Sequence, residues 1–448
     1  MKKILALLSF LSAIILQSCS SNPATSADGF IKVKGTHFIK NNEPYYFVGT
    51  NLWYGCYLGS PGETGDRERL IKELDQLKEI GITNLRILAA SEESYIQNSL
   101  KPAITKEPDV YDDDLLEGLD YLLSEMSKRD MNAVVFLNNY WEWSGGMAQY
   151  NAWFGAEEPV DPENPEQGWP MFMNYSAAFY ENEEANEYFH KYMKMIITRK
   201  NKFTGRYYYE DPAIMAWQLA NEPRPGDGET GIQKAESYYK WINETAAYIK
   251  SVDPNHLVTT GSEGTMGSIG SSEIYLTAHK SENIDYMTFH LWAKNWSWYD
   301  AQNPEETFPS TLEKAESYIN EHIGYAEQLN KPITMEEFGL GRDEEMLSKE
   351  AVTSYRDSYF KKIFEIVYDS AKAGAAIAGT NFWTWGGEGT AQHDDYKWRP
   401  GDPFVGDPPQ EPQGLNSVFS SDESTIDILK EHAEEMNALR KLEKVAYK

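Results

Sequence analysis

Cysteine is scarce in this sequence, which has only two cysteines among its 448 residues. Cys19 follows an apolar N-terminal run and is predicted below to carry a lipid, so only Cys56 would remain free in the mature chain. A single cysteine cannot form an intrachain disulfide or supply a cysteine-based metal site. The protein therefore depends on its hydrophobic core, for which a hydrophobic fraction of 41% is sufficient.

Positive charge is also in short supply, since 41 lysines and arginines stand against 70 aspartates and glutamates, for a formal net charge of −29. This balance argues against recognition of nucleic acid, or of an anionic membrane, through a basic patch. It favours a neutral or cationic partner without choosing between them.

Several catalytic motifs are missing. The 8 histidines are scattered, with no spacing typical of a metal site. There is no GxSxG nucleophile elbow and no phosphate-binding glycine loop. We therefore expect no metal and no organic cofactor. Aromatic residues, by contrast, reach 13%, and the excess beyond core packing suits a surface that stacks on flat apolar ligand faces.

The N-terminus lacks a hydrophobic run long enough to cross a bilayer comfortably. The apolar run Ile4 to Leu16 follows two lysines, as in a signal peptide. It ends in Leu16-Gln17-Ser18-Cys19, which resembles a bacterial lipobox. We predict a lipoprotein signal peptide over 1–18, lipidation at Cys19 and a tether over 19–29. An ordinary cleaved signal with an incidental cysteine is the alternative.

This N-terminal pattern predicts an exported protein that contacts a membrane only through its lipid. A bacterial outer membrane is the expected site. The leaflet stays open, because no acidic cluster follows Cys19 to indicate surface export.

Strand-like and helix-like segments alternate along the rest of the chain, after a hairpin over 30–48 that turns at Asn41-Asn42. The predicted barrel strands are 46–49, 83–88, 132–137, 214–220, 257–260, 286–289, 333–335 and 380–383. The predicted helices are 67–80, 115–126, 183–198, 233–252, 312–329, 352–373 and 424–441.

Eight strands that alternate with helices predict a parallel sheet closed into a barrel. We therefore predict an α/β fold: a single (β/α)8 TIM barrel over residues 30–448, with an N-terminal β-hairpin and extended β/α loops. The fifth unit is the least regular, since 261–280 offers only a short helical stretch. Residues 138–174, rich in Gly, Pro and Trp, are predicted to form a long loop.

Polar or aromatic side chains follow nearly every predicted strand. The C-terminal strand ends of such a barrel form the mouth that carries the active site. The residues concerned are Asn51, Trp53, Arg86, Asn138, Asn139, Trp141, Asn221, Glu222, Glu263, His290, Trp292, Glu337, Trp383 and Trp385. A purely structural barrel has no reason to collect such groups at one rim.

Two of these positions indicate the chemistry. Glycosidic bonds are commonly cut by two carboxyl groups, one protonating the leaving oxygen and the other attacking or activating water. Glu222 follows the fourth strand and Glu336-Glu337 follows the seventh, so a barrel would bring two acids together. Alone, Glu222 could equally be a helix N-terminal carboxylate or a loop salt bridge. Only one of Glu336 and Glu337 should enter the mouth, and periodicity does not say which.

Three further residues fit this interpretation. Arg86 could hold a catalytic carboxylate ionised, although an arginine in an apolar run is more often a structural ion pair, and both roles are compatible. A lone histidine is usually structural, but at this rim His290 is interpreted as a partner of a catalytic acid or a sugar hydroxyl. Asn221 could bond a sugar hydroxyl beside the reacting carbon.

An ordered series of motifs covers nearly the whole mature chain, from about Gly29 to the C-terminal helix. The motifs are GTNLWY from Gly49, NNYW from Asn138, WQLANEPR from Trp217, TTGSEG from Thr259, EEFG from Glu336, NFWTWGGEG from Asn381 and DPPQEPQG from Asp407. Together they resemble glycoside hydrolase family 5, and within it the endo-β-1,4-mannanases.

The resemblance implies a retaining double displacement, with Glu222 as the acid/base and Glu337 as the nucleophile. It implies that Arg86 lies beside the nucleophile, that Asn221 faces the sugar 2-hydroxyl and that Trp383 floors the cleavage subsite. Residues expected to bind substrate are Trp53, Arg86, Asn139, Trp141, Asn221, Glu263, His290, Trp292 and Trp383. Retention predicts carboxyl groups about 5–5.5 Å apart.

One departure from the family pattern concerns the sixth strand. Many members carry His-x-Tyr there, whereas this chain has His290-Leu291-Trp292. An indole can donate a hydrogen bond but cannot accept one, which puts the tyrosine's role toward the nucleophile in doubt. Trp292 is therefore interpreted as a platform for a sugar ring.

We predict a monomeric endo-β-1,4-mannanase that acts on mannan, glucomannan or galactomannan and does not bind nucleic acid. A β-1,4-glucanase of the same family is one alternative. A glycan-binding lipoprotein that has lost catalysis is another, which the presence of both acids opposes. Long loops such as 157–173 could extend or block the cleft, so endo against exo action stays open.

Overall fold

The computed structural model describes residues 29–155 and 158–446, with side chains described as far as residue 440. The predicted signal peptide, Cys19 and nearly all of the predicted tether lie outside this range. Among the described helices, none has both the length and the apolar character needed to cross a bilayer.

Eight parallel strands form the centre of the molecule, which confirms the predicted barrel. They are β1 (Phe47–Asn51), β2 (Asn84–Leu88), β3 (Asn132–Phe136), β4 (Ile214–Gln218), β5 (Leu257–Thr259), β6 (Met287–Leu291), β7 (Ile333–Phe338) and β8 (Ile377–Phe382). Their order in the sheet is β5-β4-β3-β2-β1-β8-β7-β6. Every residue of these strands is buried, because helices cover the outer face and side chains fill the interior.

The barrel is nearly closed between β5 and β6, where the described residues form no strand ladder. Other hydrogen bonds join these strands. The Asp285 amide donates to the Val258 carbonyl at 2.8 Å, and the Val258 amide donates to Asp285 Oδ2 at 2.7 Å. The Thr259 hydroxyl donates to the Tyr286 carbonyl at 2.9 Å. Backbone groups at the seam are thus satisfied without regular pairing.

Helices surround the barrel. They are Gly55–Gly59, Arg67–Ile80, Asp113–Lys128, Glu183–Ile197, Gly228–Gln233, Ala235–Val252, Ser272–His279, Pro304–Leu329, Ser354–Lys372 and Glu423–Ala446. The helix Arg67–Ile80 has the predicted bounds. The Asp66 carboxylate accepts a hydrogen bond from the Arg69 amide, and Gly81 ends the helix with a φ of 97°.

A small antiparallel sheet closes the bottom of the barrel. Its strands are Ile31–Lys34, His37–Lys40 and Glu43–Pro44, so the chain makes two turns rather than the single predicted one. Asn41 and Asn42 form the second turn with positive φ angles of 54° and 63°. The Phe38 ring lies 5.1 Å from that of Tyr286, which precedes β6.

The prediction of a long loop over 138–174 is wrong. This region contains the helix Gly146–Phe154, the start of the helix Gly168–Ala177 and a helical turn at Glu142–Ser144. Ala148, Phe172 and Tyr175 from these helices join a small separate core, whereas Met147 and Tyr150 belong to the main core. Short helices whose buried side chains divide between two cores carry no single long amphipathic stripe, so periodicity did not reveal them.

Short elements complete the described chain. The minor strands are Thr105–Glu107 with Val110–Tyr111, and Trp385–Gly387 with Val418–Phe419. Short helical turns lie at Ala178–Glu181, Tyr208–Glu210, Met266–Ser268 and Asp343–Glu345.

Candidate active site

A cleft of about 570 Å³ lies at the C-terminal ends of the strands. The segments that line it come from β7 or follow β3, β4, β5, β6 and β8. Their residues are Trp141, Glu142, Trp143, Trp169, Met173, Asn221, Glu222, Arg224, Glu263, Met266, Trp292, Asn295, Trp296, Glu337, Trp383, Pro408, Gln410, Glu411 and Pro412. Tryptophan rings and carboxylates dominate this surface, so it offers both flat apolar faces and hydrogen-bond acceptors.

Glu222 and Glu337 meet in this cleft. One carboxylate oxygen of each lies within 4.8 Å of the other, and both residues are almost wholly buried. Retaining glycosidases hold their two carboxyl groups about 5–5.5 Å apart, whereas inverting enzymes need about 6.5–9.5 Å to admit a water. The separation suits direct attack by one acid and proton transfer by the other.

Arg86, from β2, orders the nucleophile side of the site. Its Nη1 contacts Glu337 Oε1 at 2.5 Å, and its Nη2 donates to Asn221 Oδ1 at 2.7 Å. It also donates to Gln218 and Asn51, and its side chain has no exposed surface. A buried, fixed cation at this distance forms a charge-assisted hydrogen bond with Glu337 and fixes the orientation of its side chain.

The doublet Glu336-Glu337 does not alternate across the strand as a regular strand would. The pairing of β6 with β7 shifts at Glu336, so that Phe289 pairs with Met335 but His290 pairs with Glu337. Such a bulge re-aims side chains. Glu336 therefore stays inside the barrel, where it accepts from Gln218 Nε2 and where burial raises its pKa, while Glu337 enters the cleft.

Glu222 is held by two neighbours and by an unusual backbone. Trp141 Nε1 donates to its Oε2 at 2.5 Å, and His290 Nδ1 lies 2.6 Å from its Oε1. Its φ of 49° is left-handed, which is uncommon for a residue with a side chain. The Glu222 amide donates to the Gly261 carbonyl at 3.0 Å. The acid is thus fixed in orientation.

The charges around His290 favour a proton on its imidazole. Burial works against its charge, but Glu337 and Glu222 raise its pKa to about 9. Burial likewise opposes the charge of Glu222, but the hydrogen bond and charge of His290 lower the pKa of Glu222 to about 2. His290 Nδ1 also lies 3.3 Å from Glu337 Oε2. One proton is thus stored on the imidazole, within hydrogen-bonding distance of Glu222.

The residues predicted to be catalytic or to bind substrate fall into two groups in the structure, apart from Trp53. Those that line the cleft are Trp141, Asn221, Glu222, Glu263, Trp292, Glu337 and Trp383. Those that lie buried behind these residues and bond to them are Arg86, Asn139 and His290. Asn139, for example, accepts from Asn221 Nδ2 at 3.1 Å. The second group acts on substrate through its neighbours rather than by contact.

Trp53 is the exception, and its expected contact with substrate needs correction. Its side chain has no exposed surface, and its indole nitrogen donates to the Gly406 carbonyl. The ring packs at 5.5 Å from Trp143 and 5.4 Å from Phe404. A sugar therefore cannot reach Trp53, which instead supports the wall that carries Trp143.

Trp292 lines the cleft where the family pattern has a tyrosine. Its ring meets Trp383 edge to face, with centroids 6.2 Å apart and planes at 78°. The two indoles form a corner beside Glu337, consistent with the proposed platform role.

Sequence reasoning missed several cleft residues, namely Glu142, Trp143, Trp169, Asn295, Trp296 and Glu411. The motif from Asp407 contains Glu411 and could have directed attention to it. Trp169 carried no such signal, because it lies in the region that was predicted to be loop.

Glu142 and Glu411 have unsatisfied polar groups. Within the described structure, Oε2 of each is buried without a hydrogen-bond partner. Burial raises the pKa of Glu142 to about 7, and burial with the charges of Asp407 and Glu337 raises that of Glu411 to about 8. Buried acceptors that lack a partner are costly, so these oxygens suit the hydroxyl groups of a ligand.

The described residues include one group whose spacing could hold a metal ion. Ligand atoms of Glu222, His290 and Glu337 all lie within 4.8 Å of one another. Hydrogen bonds among the three and the ion pair with Arg86 account for this arrangement. The absence of a metal requirement stays a prediction.

Known proteins resemble the chain over nearly its full length. Residues 28–441 match the family model described as GH family 5 beta-mannosidase-like. The crystal structure of a glycoside hydrolase family 5 mannosidase from Rhizomucor miehei has a TM-score of 0.85 and 34% identity, covering 93% of this chain and 99% of that one.

Relatives named for mannan hydrolysis are also similar. The putative mannan endo-1,4-β-mannosidase 4 of Arabidopsis thaliana is 29% identical, covering 98% of each chain. Mannan endo-1,4-β-mannosidase 7 of the same plant is 27% identical, covering 98% of this chain and 93% of that one. With the paired acids and the barrel, these matches establish that the chain belongs to glycoside hydrolase family 5.

Proposed function

We propose that the protein is a retaining glycoside hydrolase that cleaves β-1,4-mannosidic bonds within mannan, glucomannan or galactomannan. The observation that carries the proposal is the pair Glu222 and Glu337, with oxygens within 4.8 Å across a tryptophan-lined cleft. Family membership supports the chemistry. The curated relatives named endo-mannosidases support the substrate and cleavage within the chain.

The first step is attack on the sugar. Glu337 forms a bond from its carboxylate oxygen to the anomeric carbon, and the bond from that carbon to the glycosidic oxygen breaks. Glu222 delivers a proton to the departing oxygen, so the aglycone leaves as an alcohol. Because Glu222 is ionised at rest, it first takes the proton stored on His290, 2.6 Å away.

The second step returns the enzyme to its starting state. Glu222, now a carboxylate, takes a proton from water as that water attacks the anomeric carbon, and passes it back to His290. The sugar–Glu337 bond breaks and the product keeps the β configuration. Arg86 stabilises the carboxylate that Glu337 becomes again.

Recognition near the reacting carbon falls to Asn221. Its Oδ1 accepts from Arg86 and its Nδ2 donates to Asn139, which fixes the amide in one orientation. The remaining amide hydrogen and lone pair can meet the sugar 2-hydroxyl, a contact that strengthens in the transition state. The buried Arg86 thus acts on that hydroxyl only through Asn221.

The proposal is tested with Glu337→Gln and Glu222→Gln on defined β-1,4-manno-oligosaccharides. An amide cannot attack, so Glu337→Gln should release no reducing ends from mannan. Glu222→Gln should lose about 10²–10⁴-fold in rate on natural substrates. Proton NMR of early wild-type products should show β anomers. Wild-type turnover by Glu337→Gln would contradict the proposal.

The two alternatives have their own outcomes. Faster initial rates on carboxymethyl cellulose than on glucomannan would indicate a β-1,4-glucanase instead. Tight oligosaccharide binding without any release of reducing ends would indicate a binding lipoprotein.

A second candidate, removal of mannose from chain ends, is favoured by Glu142 and Glu411. Their unpartnered oxygens in the cleft could meet the extra hydroxyl that only a terminal sugar presents. The 34% identical protein from Rhizomucor miehei is named a mannosidase without the prefix endo, which is compatible with this option. Reducing-end-labelled mannohexaose separates the modes: stepwise loss of mannose indicates exo action, and mixed internal products indicate endo action.

We also propose that the exported protein is lipidated at Cys19 and tethered to a bacterial outer membrane. The lipobox-like Leu16–Cys19 and the polar stretch after it support this. In a bacterial host, Cys19→Ser should abolish incorporation of labelled palmitate and move the protein from the membrane fraction to the soluble fraction. Unchanged labelling would contradict lipidation at this residue.

A further inference from the structure

One ion pair in the cleft is not used by the two-step mechanism. Arg224 lies two residues after the acid/base Glu222, and its Nη2 pairs with Glu263, which follows β5. The side chains are 19% and 2% exposed. Both residues line the cleft on the side of Glu222.

The pair reaches the acid/base through an indole. The Arg224 guanidinium carbon lies 4.8 Å from the centre of the Trp141 ring, within the range of a cation–π contact. The same Trp141 donates its N–H to Glu222 Oε2. Arg224 therefore restrains the ring that orients the acid/base, and it places a positive charge close to the acid.

Glu263 is rigidly held in turn. Trp296 Nε1 donates to Glu263 Oε1 at 3.1 Å. The Glu263 carbonyl accepts from the His290 amide at 3.1 Å and from the Tyr318 hydroxyl at 3.0 Å. A Cβ at Gly267 would lie 3.2 Å from Glu263 Oε2, so the backbone also packs closely on this carboxylate. Such fixation keeps Arg224 in one place.

The charge of Arg224 alone would work against catalysis. A nearby cation favours the ionised form of an acid. Glu222 must be protonated to donate to the leaving oxygen in the first step. A carboxylate paired with Arg224 balances that cation while leaving its contact with Trp141 intact.

We propose that Glu263 is a positioning residue for the acid/base: it holds Arg224 over Trp141 and neutralises its charge, so that Glu222 can accept and donate the catalytic proton. The inference rests on the proposed glycosidase function and gives Glu263 a role other than contact with sugar. Glu263 acts through Arg224 and Trp141.

Several charged groups bear on this proton and must be considered together. Those around Glu222 are His290 from β6, Glu337 from β7, Arg224 on its own segment and Glu263 after β5, while Arg86 pairs with Glu337 and the charge of Glu411 interacts with it. Tyr318, on the helix Pro304–Leu329, faces Glu263. The two substitutions below change one of these charges each and leave the others in place.

The test is the alkaline limb of the pH profile of kcat/KM for mannotetraose, which reports loss of the catalytic proton in the free enzyme. Glu263→Gln keeps the shape but removes the negative charge, so the limb should move to lower pH by about one unit. Arg224→Gln should move it to higher pH. The double variant should return it toward the wild-type position, and Glu263→Asp should leave it there.

A second substrate separates this role from general damage. With 2,4-dinitrophenyl β-mannoside the leaving group needs no proton, so Glu263→Gln should lower kcat/KM for this substrate much less than it does for mannotetraose. Equal slowing on both substrates, or an unmoved limb in either single variant, would overturn the inference. If Glu263→Gln fails to fold, an unmoved limb in Arg224→Gln still overturns the inference.

The proposed function can fail separately. If the wild-type protein hydrolyses neither substrate, the glycosidase proposal falls, and the positioning role falls with it. If the wild type is active and the limbs do not move, only the role of Glu263 is wrong.

Discussion

Ion pairs between individual side chains in the cleft control the protonation of the catalytic acids. Arg86 forms an ion pair with Glu337, and Arg224 forms one with Glu263. His290 contacts both catalytic acids. Each cation is buried or nearly so, where an unpaired charge would be expensive. The removal of a single charge should therefore change protonation at the site more than it changes its shape.

His290→Asn tests where the resting proton is stored. Asparagine can place an N–H near the position of Nδ1, but it cannot carry a proton that titrates. Since the pKa of His290 is about 9, the wild-type alkaline limb should lie near that pH. In the variant the proton must reside on Glu222, and the limb should move to lower pH. His190→Asn, on the outer helix Glu183–Ile197, is the control and should leave the profile unchanged.

Glu92 should make stability depend on pH. It is fully buried, and burial raises its pKa to about 8 although the Gly146 amide donates to its Oε2. A carboxyl with a raised folded-state pKa contributes stability that is complete below its unfolded value, near 4.5, and is lost as pH rises through about 8.

Glu92→Gln removes this titration while keeping an oxygen for Gly146. The variant should gain on the wild type as pH rises, by about 1.4 kcal/mol per unit across that window, or a few kcal/mol at pH 8. Urea unfolding at pH 5 and pH 8 measures the difference. A gap that does not change with pH would contradict the prediction.

At the scale of elements, the segment after β3 positions Trp141 through tight backbone packing. Gly146 has a φ of 60°, and a Cβ there would lie 2.2 Å from the Asn139 carbonyl oxygen. Gly205 has a similar φ of 70°, but a Cβ there would meet nothing within 4 Å. Substitution by alanine would strain the backbone similarly at both positions, but only at Gly146 would the new Cβ collide with a neighbouring atom.

Gly146→Ala should therefore lose activity, because the segment must shift and Trp141 then leaves Glu222. Gly205→Ala should cost about 1–2 kcal/mol of stability and leave activity intact. Thermal unfolding and mannotetraose hydrolysis compare them. Equal activity in the two variants would show that this packing does not position Trp141.

The elements that could be predicted are those whose local pattern agrees with their final environment. Arg67–Ile80 has one apolar stripe, an acidic cap and a terminal glycine, and its bounds were predicted. The helices Gly146–Phe154 and Gly168–Ala177 have no comparable apolar stripe and no side-chain cap, so they were missed. The bulge that turns Glu337 into the cleft depends on the pairing of β6 with β7, which sequence periodicity does not contain.

The active-site residues that could be predicted from sequence are those at the C-terminal ends of the barrel strands. Glu222 and Glu337 could be named because each follows or ends an apolar strand. The burial of Trp53 could not, because it depends on the Gly406 carbonyl and the Phe404 ring from a loop more than 350 residues away. Glu142 and Glu411 become visible only when two distant loops line one cleft.

At the scale of the whole molecule, the net charge of −29 should have little effect on the rate at which the protein hydrolyses an uncharged substrate. Steering by long-range charge affects charged partners and is screened within about 10 Å at 0.1 M salt. The rate on unsubstituted mannan should therefore change less than about twofold between roughly 0.05 and 0.5 M sodium chloride. A strong salt dependence would indicate a charged partner.

The chain is expected to act as a monomer. Light scattering after size exclusion should give a mass slightly below the 51.2 kDa of the full chain once the signal peptide is removed. A mass near twice that value would contradict this expectation.

The irregular seam between β5 and β6 has a consequence for how the molecule fluctuates. Glu263 follows the strand on one side of this seam, and His290 lies near the end of the strand on the other side, where its amide donates to the Glu263 carbonyl. Because few main-chain hydrogen bonds join the two strands here, local opening of the barrel should be easiest at this seam. Amides at the seam should therefore exchange with deuterium sooner than those of β1 and β8. On heating, the residues that position the acid/base should become mobile before the barrel unfolds, so activity should be lost at a lower temperature than the folded structure.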